Sequence, residues 1–285
     1  AGNIDNLRGY LSNPGLDFIR GDIGNGQLLD LLVPGVDIIY NFAAETHVDR
    51  SILEGGSFVE TDVMGTFTLL QKAMEHEVPR FVQVSTDEVY GSIEKGKFRE
   101  TDPIRPNSPY SASKSGADLL VRAFFKTYGL PVLITRSSNN YGPFQHPEKF
   151  IPLFITNALE GRELPLYGDG RNVRDWIYVE DNCRAIDLVG RRGQIGEVYN
   201  IGAGAEKENL YIASKILELT GAEPGLLKLV SDRPGHDRRY ALDTRKIRSL
   251  GWKNRTAFLK GLEKTVEWYM ENKSWWKRIK EGSFR

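Results

Sequence analysis

The stretch Phe81-Val82-Gln83-Val84-Ser85-Thr86-Asp87-Glu88-Val89-Tyr90-Gly91, FVQVSTDEVYG, joins a short apolar run to a cluster of polar groups. Phe81–Ser85 is β-branched and aromatic, and it reads as a buried strand. Two hydroxyls, Ser85 and Thr86, and two adjacent carboxylates, Asp87 and Glu88, stand at its end. Taken alone, such a pair could equally be a solvated turn. At the end of a buried strand it points to something polar that the acids serve.

The same pattern repeats outward in both directions. Leu16–Ile23, Val36–Ala44, Leu130–Arg136 and Val198–Gly204 read as strands, the first ending at Asp22. Gln27–Val33, Thr61–Glu77, Tyr110–Tyr128, Leu210–Thr220 and Phe258–Lys273 carry apolar residues at helical spacing. In LDTRKIRSLGW, Asp243 is placed to cap a helix and Gly251 to stop it. Strand and helix in alternation predict right-handed crossovers and an α/β fold. The expectation is a Rossmann-like doubly wound parallel sheet with a smaller mixed α/β C-terminal substrate lobe. Residues 1–142 would form the first unit and 143–285 the second, with about 196–220 returning to the main sheet.

In such sheets ligands bind beyond the carboxyl ends of the strands. Three predicted strand ends are polar: AAETHVDRS (43–51), STDEVYG (85–91) and RSSNNYGP (136–143). The helix after the second opens with YSASK, which sets Tyr110 and Lys114 on one helical face. An ammonium beside a phenol favours the phenolate and makes tyrosine a usable base.

Composition removes several function classes. The 285 residues carry 38 basic and 38 acidic side chains, so no charge footprint points to nucleic acid or an anionic membrane. No apolar stretch is long enough to span a bilayer and no signal peptide is evident, which leads to the expectation of a cytoplasmic protein. The single cysteine, Cys183, excludes an intramolecular disulfide and a thiolate zinc cluster, and it reads as a small core residue. His47, His76, His146 and His236 lack metal-ligand spacing, so no metal is expected.

The stretches NFAAETHVDRSI, STDEVYG, PYSASKSGADLLV, SSNNYGPFQHPEKFIPLFI, LPLYGDGRNVRDWIYVEDN, YNIGAGAEKEN and RPGHDRRYALDTRKI resemble the extended short-chain dehydrogenase/reductases acting on nucleotide sugars. The Asp-Glu pair is similar to that of the 4,6-dehydratase branch, with dTDP-glucose the favoured substrate and NAD the cofactor. The resemblance implies oxidation at C4, loss of water across C5 and C6, and return of hydride to C6. It assigns Glu88 as base at C5, Asp87 as acid at O6 and Tyr110 as base at the 4-hydroxyl. Thr86 would bond the 4-oxygen, and Lys114 would hold the nicotinamide ribose and tune Tyr110. Asp22 and Ile23 would meet the adenine, while Ala43, Ala44, Glu45, Thr61, Ser85 and Asn140 would line the cofactor. Thr46 and Asn139 would face the sugar. Lys149, Phe150, Pro165, Tyr167, Arg174, Asn200, Arg233 and His236 would grip the nucleotide diphosphate and base. The resemblance also implies a homodimer through the helices after 36–44 and 81–85, with Phe67, Leu120 and Phe124 outward.

Two other functions stand beside this one. An epimerase or decarboxylase of the same superfamily would lack the Asp-Glu pair, and product analysis separates it. A non-catalytic nucleotide-sugar-binding protein would have no use for the acid–base set. A dinucleotide fold opens with a strand, a glycine-rich turn and a helix that seats the pyrophosphate, and nothing before Asp22 has that form. About 35 residues of strand, glycine turn, helix and strand are therefore expected upstream of Ala1, and without them NAD affinity is expected to be poor.

Overall fold

The computed structural model describes residues 2–282 and contains nine strands among them. The main sheet runs β1 (Ile39–Asn41), β2 (Phe81–Thr86), β3 (Val132–Ser137) and β7 (Val198–Ile201), in that order and all parallel. Side chains alternate along these strands as the two-residue period demands. Phe81, Val132 and Ile134 enter one core with the helices Gly26–Leu32, Thr66–Glu75 and Pro109–Tyr128, through Leu29, Leu69, Leu70, Val121 and Phe124. Val82 and Leu133 enter the opposite core, where Ala185, Ile186 and Val189 of the Val179–Arg192 helix cover them. Burial on both faces explains why these strands carry apolar side chains toward both cores.

Beyond β3 the chain builds a second group. Strands β4 (Asn139–Tyr141), β6 (Val173–Tyr178) and β8 (Glu206–Glu208) form one small sheet, and β5 (Leu164–Tyr167) pairs with β9 (Leu227–Val230) in another. Helices Phe150–Leu159, Asn209–Thr220, Phe258–Glu271 and Lys273–Lys280 share a third core with Trp176 and Tyr178. Of residues 196–220, only β7 joins the main sheet; β8 and the following helix belong to the small one. The Val179–Arg192 helix, conversely, sits against the main sheet.

Several sequence expectations change in detail. Leu16–Ile23 is not a strand: an extended run becomes one only when its N–H and C=O groups find a ladder, and β1 at the sheet edge pairs only with β2. Val36–Ala44 shortens to Ile39–Asn41. Thr61–Glu77 opens as a π-helical turn, Val59–Gly65, before the regular helix Thr66–Glu75. Asp62, on that wider turn, is buried. Thr244, one residue beyond the expected cap, precedes the Arg245–Ser249 helix, although Asp243 Oδ1 accepts the Arg245 backbone N–H at 3.0 Å. Cys183 is exposed on its helix rather than buried, because the turn it occupies faces solvent.

The Pro109–Tyr128 helix carries its own stop and start signals. Ser108 and Ser111 cap each other reciprocally, Pro109 takes the first turn, and Gly129 ends the helix at φ 74°.

Candidate active site

Parallel pairing sets the ends of β1, β2 and β3 side by side, with Ser85 opposite Arg136 and Thr86 opposite Ser137. A buried polar rung steadies them: Asn41 donates to Gln83 Oε1 at 2.9 Å and to Thr66 Oγ1 at 3.2 Å. Beyond β2 the chain turns through a short helix, Asp87–Tyr90, capped by Thr86, whose Oγ1 accepts the Glu88 N–H at 3.2 Å. Gly91 closes that turn at φ 80°, where an added Cβ would lie 2.4 Å from the Arg105 carbonyl oxygen, so only glycine fits.

Asp87 and Glu88 thus leave the strand in different environments. Asp87 is 2% exposed, its Oδ1 accepting from Thr86 at 3.4 Å and its Oδ2 buried without a partner. Burial, then the neighbouring Glu88 charge, push its carboxyl well above the usual range. Glu88 opens onto a cavity of about 230 Å³. Burial raises it too, but Arg174, Arg233 and Lys149 oppose the rise. The two acids are driven apart by their surroundings, the arrangement that separates a proton donor from a proton acceptor.

Tyr110 begins the capped helix, where its N–H donates to Ser51 Oγ at 3.2 Å and its ring meets Phe58 edge-on at 6.3 Å. Its phenol hydrogen-bonds Thr86 and is held well above its ordinary range, by burial first and then by the Glu88 and Asp62 charges. The expected lowering by Lys114 is not what the geometry gives. Lys114 is buried, its Nζ donates to the Val84 carbonyl at 2.9 Å, and burial lowers its own ammonium against the charges of Asp62 and Asp118. A lysine spent on a backbone carbonyl has less to give the phenol.

Asp62 escapes sequence reading because it looks like one more polar helix residue. Its carboxylate accepts the Ser113 hydroxyl at 2.6 Å and the Glu45 N–H at 2.9 Å, tying the Tyr110 helix to the loop after β1. Thr61 stands beside it on the π-turn, half-buried, with Asp62 and not Thr61 making these bonds. Ala43, whose N–H is held by Asn41 at 3.2 Å, Ala44 and Glu45 form that loop. Ser85 Oγ and Asn140 Oδ1 are buried without partners. Such orphaned polar atoms at adjoining strand ends, with Lys114 beneath them, fit the nicotinamide end of NAD. The adenine end is less formed: Asp22 is exposed on a turn and accepts the Gly24 N–H at 2.7 Å, while Ile23 packs against Gly65. Among the described residues no strand and glycine turn precede β1 to seat the pyrophosphate.

The cavity beside Glu88 gathers Thr46, Asn139, Lys149, Phe150, Pro165, Tyr167, Arg174, Arg233 and His236 from both groups of elements. Lys149 donates to the Thr46 carbonyl, and burial lowers its ammonium. Arg174 does not pair with Asp175. It donates to the Val173 and Asp237 carbonyls at 2.8 Å each, lies 4.2 Å over the Tyr240 ring, and forms no ion pair among the described residues. His236 bonds Asp232 at 2.6 Å and meets Tyr167 edge-on. Asn200 is elsewhere: fully buried, it accepts from the Tyr90 hydroxyl at 2.8 Å and donates to the Phe98 carbonyl at 3.0 Å, because β7 turns it into the core. Asn209, at the start of the Asn209–Thr220 helix, lines the cavity instead, with Oδ1 buried and unpartnered. Arg136 is likewise drawn away, onto Asp118 at 2.9 Å.

Residues 1–265 match the family model described as GDP-mannose 4,6 dehydratase. A dTDP-glucose 4,6-dehydratase from Streptomyces niveus is 52% identical over 281 residues, covering 98% of this chain and 84% of that protein. The low-salt glycan biosynthesis protein Agl12 of Haloferax volcanii is 56% identical over 270 residues, covering 95% and 87%. The crystal structure of DesIV, a dTDP-glucose 4,6-dehydratase from Streptomyces venezuelae with NAD bound, matches this fold at TM-score 0.97 and 53% identity, covering 98% of this chain and 87% of that one. With the acid pair and the Tyr–Lys helix assembled at one sheet edge, and with likeness along nearly its whole length, this chain belongs to the GDP-mannose 4,6 dehydratase family, alongside the dTDP-glucose 4,6-dehydratases.

Proposed function

We propose that the protein converts dTDP-glucose to its 4-keto-6-deoxy sugar with NAD as cofactor. The observation that carries this is the Asp87–Glu88 pair beside Tyr110, with Asp87 buried and Glu88 open to a cavity holding three cations, Lys149, Arg174 and Arg233. NAD, when bound, supplies removal of hydride from C4 and its return at C6. Tyr110 takes the proton of the 4-hydroxyl, and Thr86 bonds the oxygen that becomes the ketone. The ketone acidifies the C5 hydrogen, which Glu88 removes as carboxylate and gives back to C5 when hydride reaches C6. Asp87, kept protonated by burial, donates to the departing 6-hydroxyl. The cations and Asn209 hold the nucleotide diphosphate, with guanidinium forks suited to phosphate oxygens.

Glu88→Gln tests the reading. Oxidation at C4 should survive, since Tyr110 and Thr86 are untouched, while release of the 4-keto-6-deoxy product falls about 10²- to 10⁴-fold. Single-turnover absorbance of NADH should show the trapped reduced cofactor. Normal turnover would end the role given to Glu88. The same pair sets the pH profile. The rate should rise as pH passes the raised Glu88 value, because the base must be ionised. It should fall again at higher pH as Asp87, held well above the usual carboxylate range by burial, gives up its proton, because the acid must be protonated.

The protein also reads as two lobes, the main sheet carrying the chemistry and the second group the nucleotide. A homodimer through the Thr66–Glu75 and Pro109–Tyr128 helices would cover Leu119 and Tyr128, which are 54% and 60% exposed. Phe124, expected outward, is instead in the core and meets Phe67 at 5.8 Å. Leu119→Glu should then shift the sedimentation mass from dimer to monomer; a wild-type protein that sediments as a monomer would reject this interface.

A further inference from the structure

Asp49 lies in the first turn of the Val48–Leu53 helix, on the wall of the cavity. Each of its carboxylate oxygens is taken by a residue from the other side. Arg233 donates Nη1–H to Oδ1 at 3.0 Å, and Tyr167 donates its hydroxyl to Oδ2 at 3.2 Å. A carboxylate bound through both oxygens by a guanidinium and a phenol offers the same acceptor pair as two phosphate oxygens. Arg233 Nε, on the same guanidinium, is buried without a partner.

The other cations of the cavity are treated differently. Lys149 donates to a backbone carbonyl, as does Arg174, and neither forms an ion pair among the described residues. Only Arg233 of the three is neutralised by the chain itself. The pair sits at the mouth, with the Arg233 side chain 19% and the Asp49 side chain 38% exposed. There an ion pair is weak enough to exchange for a stronger anion.

We propose that Asp49 is an internal stand-in for the substrate's diphosphate. It occupies Arg233 and Tyr167 until a phosphate oxygen displaces it, and so sets how tightly nucleoside diphosphates bind and how readily they leave. The inference rests on the proposed function, which places the diphosphate against Arg233. Its sign follows from charge. An entering diphosphate must break the Asp49–Arg233 pair and then tolerate a carboxylate close by, and both costs disappear when the carboxylate becomes an amide.

The test is calorimetry on the full chain with thymidine diphosphate and with thymidine. Asp49→Asn should bind the diphosphate about two- to fivefold more tightly than wild type and bind thymidine equally, since a bare nucleoside displaces nothing. Asp49→Ser should behave alike should the amide disturb the helix turn. On an Arg233→Ala background the gain should shrink, because only the repulsion between the carboxylate and the diphosphate is left to relieve. Unchanged or weaker diphosphate binding by both Asp49 variants, or a gain undiminished without Arg233, overturns the stand-in role while leaving the function intact. A wild-type protein that binds no thymidine diphosphate overturns the functional reading and this inference with it.

Discussion

Tyr110→Phe should lower kcat by about 10³-fold, within the range by which a positioned base accelerates proton transfer, while the thermal midpoint falls by no more than about 4 °C for the lost bond to Thr86. The ring is 9% exposed and edge-on to Phe58, and the backbone N–H is held by Ser51, none of which needs the hydroxyl. Phenylalanine therefore keeps the packing and removes only the group that accepts the 4-hydroxyl proton. The variant should form no reduced cofactor in a single turnover, unlike Glu88→Gln, which stops one step later. Binding of the nucleotide part should be unaltered, because that grip comes from the cavity on the other side of Glu88. Reduced cofactor forming at the wild-type rate would remove Tyr110 as the base. The phenol stands high in its range through burial and two nearby carboxylates, so its use as a base depends on positive charge close to the site. That makes the loss on substitution a test of position as well as of chemistry.

Asp118→Ala should destabilise the fold by about 3–5 kcal/mol, as expected when one partner of a buried ion pair is removed. Asp118 and Arg136 have side chains 1% and 8% exposed and meet at 2.9 Å, and the guanidinium also lies 4.7 Å over the Tyr90 ring. Without the carboxylate, Arg136 would be left charged in the interior between the Pro109–Tyr128 helix and β3. Urea unfolding should show a lower midpoint with an unchanged slope. Replacing both partners by apolar residues of similar size should recover most of the loss, since the pair's worth lies in compensation rather than in net attraction. A loss below about 1 kcal/mol for Asp118→Ala would mean that water reaches Arg136.

The sequence by itself determined those features whose cause is local. Apolar β-branched runs specify buried strands, the 3.6-residue period specifies the helices that cover them, and the strand ends must then share one edge. Hence Asp87, Glu88, Tyr110 and Lys114 were legible: a strand terminus fixes the first two, and one turn of helix fixes the spacing of the others. Tertiary structure alone decided what each polar side chain faces. Leu16–Ile23 has the composition of a strand yet forms none, because a strand needs a ladder partner that composition cannot supply. Asn200 and Asn209 look alike in sequence, but β7 turns one into the core and a helix start turns the other into the cavity. Asp62 became a tie between two elements only because a π-turn aims it inward. Asp49 meets Tyr167 and Arg233 across 118 and 184 residues of chain. Such contacts depend on how two lobes close on each other, and periodicity, which reports only which side of an element is apolar, carries no record of them.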